Sequence, residues 1–213
     1  MKPLIVLVSG ASGSGKSTVV EHIVETVGNN SCSVIPLDMF YRDRPEISLT
    51  EREKINYDHP DAIEWELLYQ TIKTIQQKNS TLLPQYDFAT HCRKEEPLAT
   101  IEPRPIIIVE GIMVLYPEEL RNMADYSIFV ETPLDLCLSR RLQRDTAPES
   151  EGGRGRSYDS VIEQWQTVRD MYLTHFEPTK LHADIILPRG TRNQKGIQLV
   201  IASLTHILEK KSA

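Results

Sequence analysis

The sequence predicts an α/β fold, a three-layer structure with a mostly parallel central sheet and helices on both faces. Short apolar runs of strand length alternate along the chain with longer segments of helical periodicity. The runs are continuously apolar, as is typical of strands that are buried on both faces. A chain of 213 residues suits one domain. We therefore treat residues 1–213 as a single domain.

The N-terminal part of the chain is predicted to alternate strand and helix. Residues 4–8 are the first strand, and residues 16–27 follow as a helix because valine and isoleucine recur there at helical spacing. A second strand is predicted at residues 33–37. Thr50 and Glu53 fit a capping box that would begin a short helix.

The middle of the chain interrupts this alternation. Residues 61–78 carry apolar side chains at helical spacing, whereas prolines, aromatics and charges alternate in residues 81–104, which predicts a hairpin excursion from the main sheet. Thr132 and Pro133 would open a later helix as its N-cap and first residue. Further strands are predicted at residues 105–109, 127–130 and 184–187, and further helices at residues 158–176 and 197–210.

Charge and cysteine content exclude several classes of function. The net charge of −6 argues against nonspecific binding to nucleic acid or an anionic membrane. The three cysteines are odd in number and widely spaced, so they give neither a disulfide framework nor zinc spacing. No apolar run approaches the ~20 residues of a membrane span. We expect a cytoplasmic protein with no nucleic acid and no membrane partner.

The segment GASGSGKST, which follows the first strand, fits the phosphate-loop pattern G-x-x-x-x-G-K-[ST]. Its backbone N–H groups and the N-terminal end of the next helix would surround phosphate oxygens. Lys16 would reach the β- and γ-phosphates, and the Ser17 hydroxyl would bind Mg²⁺. The sequence therefore predicts a P-loop NTPase or kinase with a nucleoside triphosphate donor. The loop consists of Gly10, Ala11, Ser12, Gly13, Ser14, Gly15, Lys16, Ser17 and Thr18.

Glu110, at the end of the apolar run IIIVE, is a second candidate metal residue. A carboxylate at a strand end beside the phosphate loop can hold Mg²⁺ through water. The alternative is a strand-end acid that makes only a structural hydrogen bond.

Asp38, after the second predicted strand, is a candidate catalytic residue. The chain has no N-K-x-D, D-x-x-G or L-S-G-G-Q segment, which argues against a nucleotide switch or a mechanical ATPase. Asp38 would instead lie across the crevice from the γ-phosphate, where a carboxylate can accept or orient the proton of an attacking hydroxyl. The alternative is an Asp that caps its own loop.

Two polar aromatic segments supply candidates for binding the acceptor. In YDHPDA, Asp58 could accept hydrogen bonds from vicinal sugar hydroxyls. In PQYDFATH, Tyr86 and Phe88 could stack on a planar base, and His91 could read its edge. The alternative for the second segment is a hairpin with an aromatic cross-strand pair.

Arginines cluster near residues 140–156. Arg141 and Arg144 lie three apart and share a helix face, and Arg154 and Arg156 follow on a glycine-rich segment. Charge on a glycine-hinged loop predicts an Arg-rich lid, residues 145–157, which would close over the triphosphate and exclude water. The alternative is a solvated basic surface loop.

The segments YDHPDAI, RR-x-x-RD followed by RGR, and ADIILPRG with Asn193 together resemble the uridine–cytidine kinase family, most closely its bacterial members. The resemblance runs from residue 4 to about residue 208. It implies a P-loop kinase fold with a small β-hairpin substrate subdomain. It also implies transfer of the γ-phosphate of ATP or GTP to the 5′-hydroxyl of uridine or cytidine, a homotetramer, and feedback inhibition by pyrimidine triphosphates.

The resemblance further implies roles for individual residues beside the phosphate loop and its Lys16. These are a catalytic base at Asp38, ribose contacts from Tyr41 and Asp58, base contacts from Tyr86 and His91, nucleoside contacts from Arg141 and Gln164, and phosphate contacts from Arg144, Arg154 and Arg156.

Two departures from the family pattern stand out. The lid reads RDTAPESEGGRGR, several residues longer than usual and with Gly153 before Arg154. We interpret the extra residues as a bulge, because insertions in surface loops cost little. The acceptor segment reads YDFATH, not the YSY of some bacterial members, but it keeps an aromatic and the His. A phosphoribulokinase-like or pantothenate kinase-like enzyme, and a non-catalytic nucleotide-binding regulator, remain alternatives. The residues do not decide between ATP and GTP.

Overall fold

The computed structural model describes residues 2–95 and 99–212. Its strands, in chain order, are β1 (Leu4–Ser9), β2 (Cys32–Pro36), β3 (Thr81–Leu83), β4 (Tyr86–Asp87), β5 (Cys92–Arg93), β6 (Ala99–Ile101), β7 (Ile106–Glu110), β8 (Tyr126–Glu131) and β9 (Ile185–Pro188). Its α-helices are α1 (Lys16–Val27), α2 (Leu49–Arg52), α3 (Trp65–Gln76), α4 (Glu118–Met123), α5 (Leu134–Thr146), α6 (Tyr158–Met171) and α7 (Gln194–Ser212).

Within the described residues, five strands form the central sheet in the order β2-β7-β1-β8-β9, and every pairing in it is parallel. Parallel neighbours need crossover connections, and helices supply them here. The predicted α/β fold class is therefore confirmed. Among the described residues, no helix combines the length and the apolar character that crossing a bilayer requires.

The central strand β1 is buried on both faces, and its side chains alternate between two cores. Ile5 and Leu7 pack into one core with residues of α3 and α5, whereas Val6 and Val8 pack into the other with residues of α1 and α7. This is why the segment is continuously apolar, since neither face of the strand meets water. The two cores fix the strand ends, and the site is built on those ends.

The predicted excursion at residues 81–104 contains two small antiparallel pairs. Strand β3 pairs with β6, and β4 pairs with β5. The second pair carries Tyr86 on β4, and His91 lies in the turn that precedes β5. The hairpin therefore carries two of the candidate acceptor residues, one on a strand and one in its turn.

Several predicted boundaries are wrong by a few residues. The capping box belongs to Ser48 and Glu51, with Ser48 Oγ accepting from the Glu51 backbone N–H, and not to Thr50 and Glu53. The helix expected at residues 61–78 is shorter, because residues 60–62 form a separate 3₁₀ turn before α3. The helix expected at residues 158–176 is α-helical only to Met171 and continues as a π-helical turn over Tyr172–Phe176.

Candidate active site

The candidate catalytic groups meet at one edge of the central sheet. The phosphate loop follows β1, Glu110 ends β7, and Asp38 lies in the 3₁₀ turn Leu37–Phe40 that follows β2. These strands are adjacent and parallel, so their carboxyl ends share one edge. Ligands of open α/β sheets bind at this edge.

The phosphate loop packs tightly against the start of α5. Gly13 has φ +81°, and a Cβ at this residue would lie 2.3 Å from the carbonyl oxygen of Cys137. Both the left-handed conformation and the close contact require glycine here. The loop leads directly into α1, whose first residue is Lys16.

Two side chains behind the loop hold its carbonyl groups away from the ligand side. Thr132 Oγ1 donates to the Ser14 carbonyl oxygen at 2.9 Å, and Arg140 Nη1 donates to the same oxygen at 3.2 Å. The prediction that Thr132 is the N-cap of α5 is therefore wrong. Pro133 is the N-cap, and the Thr132 hydroxyl bonds the phosphate loop instead. The sequence analysis missed these supporting roles of Thr132 and Arg140, because each contact joins residues more than 100 positions apart in the sequence.

Ser17 and Glu110 form the candidate metal site. Ser17 Oγ lies 3.0 Å from both carboxylate oxygens of Glu110. Burial raises the pKa of Glu110, whereas the nearby Lys16 charge and the Ser17 hydrogen bond oppose that increase. A hydroxyl and a carboxylate in contact offer hard oxygen ligands, the type that Mg²⁺ prefers. The donor set therefore fits Mg²⁺ bound together with substrate phosphates.

A cleft of about 710 Å³ opens beside the phosphate loop. It brings together every acceptor-side and lid residue expected from the sequence. The lining includes Ser12, Lys16, Asp38, Tyr41, Asp58, Tyr86, His91, Arg141, Arg144, Arg154, Arg156 and Gln164. Lys16 and the arginines thus share one space with the aromatic segments, although these groups come from distant parts of the chain.

Aromatic rings form one wall of the cleft. The Tyr41 and Tyr86 ring centroids are 5.1 Å apart, and the His91 ring stacks on Tyr57 at 4.9 Å with an interplanar angle of 15°. Burial lowers the pKa of His91, which favours the neutral imidazole. Tyr57 is a wall residue that the sequence analysis did not assign, although it precedes Asp58 in the same segment.

Asp58 and Arg141 connect the acceptor side of the cleft to the phosphate loop. Burial raises the pKa of Asp58, and the Arg141 charge acts in the opposite direction. Arg141 Nη1 in turn donates to Ser12 Oγ of the loop at 3.2 Å. Gln164 lines the same cleft from α6. A polar acceptor bound between these residues would therefore lie next to the phosphate loop.

Phe88 has a different environment from the one expected. The guanidinium carbon of Arg154 lies over its ring, 4.6 Å from the ring centroid. This is cation–π geometry, in which the negative face of the ring attracts the positive charge. Phe88 therefore contacts a lid arginine, whereas the sequence suggested a platform for a base.

The long lid segment is closed at its base by two backbone hydrogen bonds. The Arg156 N–H donates to the Asp145 carbonyl oxygen at 2.8 Å, and the Gly155 N–H donates to the Ala147 carbonyl oxygen at 2.9 Å. We call this pair of bonds the lid neck. Residues 148–154 lie between the two ends of the neck, and Arg154 and Arg156 line the cleft. The structure thus agrees with a bulge in the loop.

Gly153 is predicted to be essential for closing the lid neck. A Cβ at this residue would lie 2.0 Å from the Ala147 carbonyl oxygen, whereas nothing lies within 4 Å of a Cβ at Gly152. We expect Gly153→Ala to displace the lid arginines and to lower kcat/KM for the triphosphate by about tenfold or more, the scale of one lost charge-assisted contact. Steady-state kinetics would measure this change. Gly152→Asn is the control, because Asn tolerates the left-handed φ of +79° there. Equal effects of both substitutions would contradict the prediction.

A family model and full-length relatives both match nearly the whole chain. The family model described as "Phosphoribulokinase / Uridine kinase family" matches residues 5–195. The uridine kinase of Proteus mirabilis (strain HI4320) is 44% identical over 210 residues, which cover 96% of this chain and 96% of that protein. The uridine kinase of Salmonella paratyphi B is 42% identical over 211 residues, which cover 97% and 96%.

Solved structures share the architecture at lower identity. A "possible uridine kinase" from Bacillus stearothermophilus matches with a TM-score of 0.56 and 20% identity, over 88% of this chain and 89% of its own. D-glycerate 3-kinase from Cryptococcus neoformans matches with a TM-score of 0.62 and 18% identity, over 84% and 80%. At these identities the likeness shows the fold.

Proposed function

Since this chain belongs to the phosphoribulokinase / uridine kinase family, we propose that it transfers the γ-phosphate of a nucleoside triphosphate to the 5′-hydroxyl of uridine or cytidine. The products are UMP or CMP and a nucleoside diphosphate. The motifs that resemble uridine–cytidine kinases lie in the part of the chain that the family model matches. The full-length similarity to uridine kinases supports this choice of acceptor.

One observation carries the proposal: the cleft holds groups suited to both substrates. Lys16 and the lid arginines are cationic and suit a triphosphate, whereas Asp38 and the aromatic wall suit a hydroxylated ligand with a planar base. Phosphoryl transfer requires the donor phosphate and the acceptor hydroxyl to lie in line within one water-excluded space. The shared lining supports this proposal, because groups suited to each substrate face the same cleft.

On the donor side, we assign the phosphates to backbone N–H groups of residues 10–18 and to Lys16. Arg144, Arg154 and Arg156 would close over the same phosphates from the lid. Ser17 and Glu110 would hold Mg²⁺, which neutralises phosphate charge when it is bound. ATP and GTP both fit this assignment, because these contacts read phosphates and not the base.

On the acceptor side, we assign Asp38 to the reacting hydroxyl, where it orients the hydroxyl and accepts its proton. Tyr41 and Asp58 would bind the ribose, and Tyr86 and His91 would contact the pyrimidine. Arg141 and Gln164 would complete the nucleoside site from α5 and α6. A cytoplasmic location remains a prediction from the sequence composition, and a homotetramer remains a prediction from the resemblance.

A phosphorylation panel tests the proposed function. Purified protein with Mg²⁺ and either ATP or GTP would be offered uridine, cytidine, adenosine, thymidine, pantothenate and ribulose 5-phosphate separately, and product masses would be read. UMP and CMP as the only products would support the proposal, and the faster donor would identify the nucleotide. Phosphorylation of another acceptor would overturn the acceptor assignment. Tight triphosphate binding without any product would favour a regulator.

His91 is expected to control base recognition. His91→Asn is the suitable variant, because the residue has φ 53° and Asn tolerates the left-handed region. We expect the KM for uridine and cytidine to rise by about tenfold, the scale of one lost hydrogen bond. Selectivity against purine nucleosides should fall, while the KM for the triphosphate stays unchanged. His206→Asn, at an exposed position of α7, is the control. Unchanged nucleoside selectivity would remove His91 from base recognition.

A further inference from the structure

Asp145, in the last turn of α5, is a buried carboxylate surrounded by arginines. Its side chain is 0% exposed. The contacts to Asp145 Oδ1 are Arg144 Nε at 2.7 Å and Arg154 Nε at 3.7 Å, and those to Oδ2 are Arg141 Nε at 3.4 Å and Arg156 Nη1 at 3.9 Å. These four cations are the arginines that line the cleft.

The location of Asp145 is energetically unfavourable for an isolated carboxylate. A negative charge at a helix C-terminus opposes the helix dipole, and a buried charge loses its hydration. Burial acts to raise the pKa of Asp145, but the Arg144 hydrogen bond and the surrounding arginine charges outweigh it and hold the pKa below its ordinary value. The carboxylate is therefore ionised at neutral pH and acts as a permanent counter-charge.

The four arginines face both Asp145 and the cleft. Arg141 Nε, Arg144 Nη2 and Asp145 Oδ2 are buried atoms without a hydrogen bond in the parts of the chain that the structure describes. The contacts of Arg141 and Arg156 with Oδ2 are therefore ion pairs and not hydrogen bonds. Asp145 lies behind the wall of the cleft, whereas the guanidinium groups line it. Each guanidinium can thus contact Asp145 on one side and an anion in the cleft on the other, since its five N–H donors form a planar fork.

Four guanidinium groups that converge on one carboxylate repel each other. Without Asp145, mutual repulsion would spread the side chains of Arg154 and Arg156, which sit on the lid and not on a helix. We propose that Asp145 is a positioning residue that holds the four lid and α5 arginines in the arrangement needed for γ-phosphate transfer. This rests on the proposed function. The same carboxylate competes with the triphosphate for the arginines.

The proposal predicts opposite effects on binding and on rate. Asp145→Asn keeps the shape of the side chain but removes its charge. The net positive charge facing the triphosphate increases, so the Kd for MgATP should fall about threefold or more, as expected for a nearby desolvated charge. The arginines lose their common anchor, so kcat for uridine should fall about tenfold. A merely structural role would weaken binding and catalysis together.

The experiment combines calorimetric titration of the full-length protein with MgATP, in the absence of acceptor, and steady-state kinetics with uridine. Asp135→Asn is the control, because it removes the same charge at an exposed position of α5. A lower Kd with a lower kcat in Asp145→Asn, and neither change in the control, supports the proposal. A Kd equal to or above that of the wild type overturns it, and so does an unchanged kcat.

Asp145→Glu decides the question if the Asn variant does not fold. It keeps the charge but moves the carboxylate by one methylene, so the Kd for MgATP should stay within about twofold while kcat falls about threefold or more. Wild-type behaviour in both measurements, or a parallel loss of both, would overturn the proposal. If the wild-type protein phosphorylates no nucleoside, the proposed function fails. The role of Asp145 is then tested by the Kd for MgATP alone. Tighter binding by the Asn variant supports the proposal. If the Asn variant does not fold, unchanged binding by the Glu variant supports it.

Discussion

Replacement of Asp38 by Asn is expected to lower kcat for uridine by about 10²-fold or more, the usual scale for loss of a general base. Asp38 lies in the 3₁₀ turn after β2 and lines the same cleft as the lid arginines. Asn preserves the size of the side chain and can still orient a hydroxyl, but it cannot accept the proton. Binding of MgATP should be little changed, because the assigned phosphate contacts come from other residues.

Rapid-quench single-turnover experiments would locate the effect of Asp38→Asn in the chemical step. Asp61→Asn is a suitable control, since that carboxylate is 91% exposed and lies in the neighbouring 3₁₀ turn of residues 60–62. A near-normal single-turnover rate in Asp38→Asn would remove Asp38 from the mechanism. A rate reduced equally in both variants would point to a nonspecific charge effect.

Replacement of Lys16 by Met is expected to lower kcat by about 10²- to 10³-fold, the range observed when one group that stabilises transition-state charge is removed. Lys16 begins α1, so its ammonium group adds to the positive N-terminal end of that helix. It lines the cleft beside the arginines, and Met has a similar length without the charge. The loss should be larger in kcat than in the Kd for MgATP, because charge on the transferred phosphoryl group is redistributed only in the transition state.

The measurement for Lys16→Met pairs turnover numbers with calorimetric binding of MgATP. Lys73→Met on α3 is the control, because Lys73 is more than half exposed and its nearest acidic partner is Glu119 at 3.9 Å. A large loss of MgATP affinity with unchanged kcat would assign Lys16 to ground-state binding only. The in-line transfer mechanism would then need another group to stabilise the γ-phosphate.

The sequence predicted the strands and helices whose formation depends on residues close together in the chain. The run at β1 is apolar because both faces are covered, and the helix after the phosphate loop follows from its 3.6-residue period and from Gly28 at its end. The segment SLTERE contains two possible capping boxes, and the sequence does not distinguish them. The structure uses Ser48 with Glu51.

Contacts between distant segments explain what the sequence could not predict. Thr132 is a good N-cap residue by type, but its hydroxyl bonds the Ser14 carbonyl, 118 positions earlier. Asp145 reads as an ordinary acid in the motif RR-x-x-RD, and nothing local indicates that Arg154 and Arg156 return to it. Asp58, Tyr86 and His91 were found because they lie in short polar aromatic segments. The roles of Tyr41, Arg141 and Gln164 came from the family resemblance. The cleft places all six residues in one lining.

The lid neck has a consequence for how this part of the chain can change over evolution. The Arg156–Asp145 and Gly155–Ala147 backbone bonds fix the base of the bulge. Gly153 and Arg154 lie inside it, directly before the neck. We therefore expect insertions next to Gly152 to be tolerated, because nothing lies within 4 Å of a Cβ there, whereas a methyl group added at Gly153 is not. The open position at Gly152 is therefore suited to a peptide tag or a fluorescent label that reports lid movement.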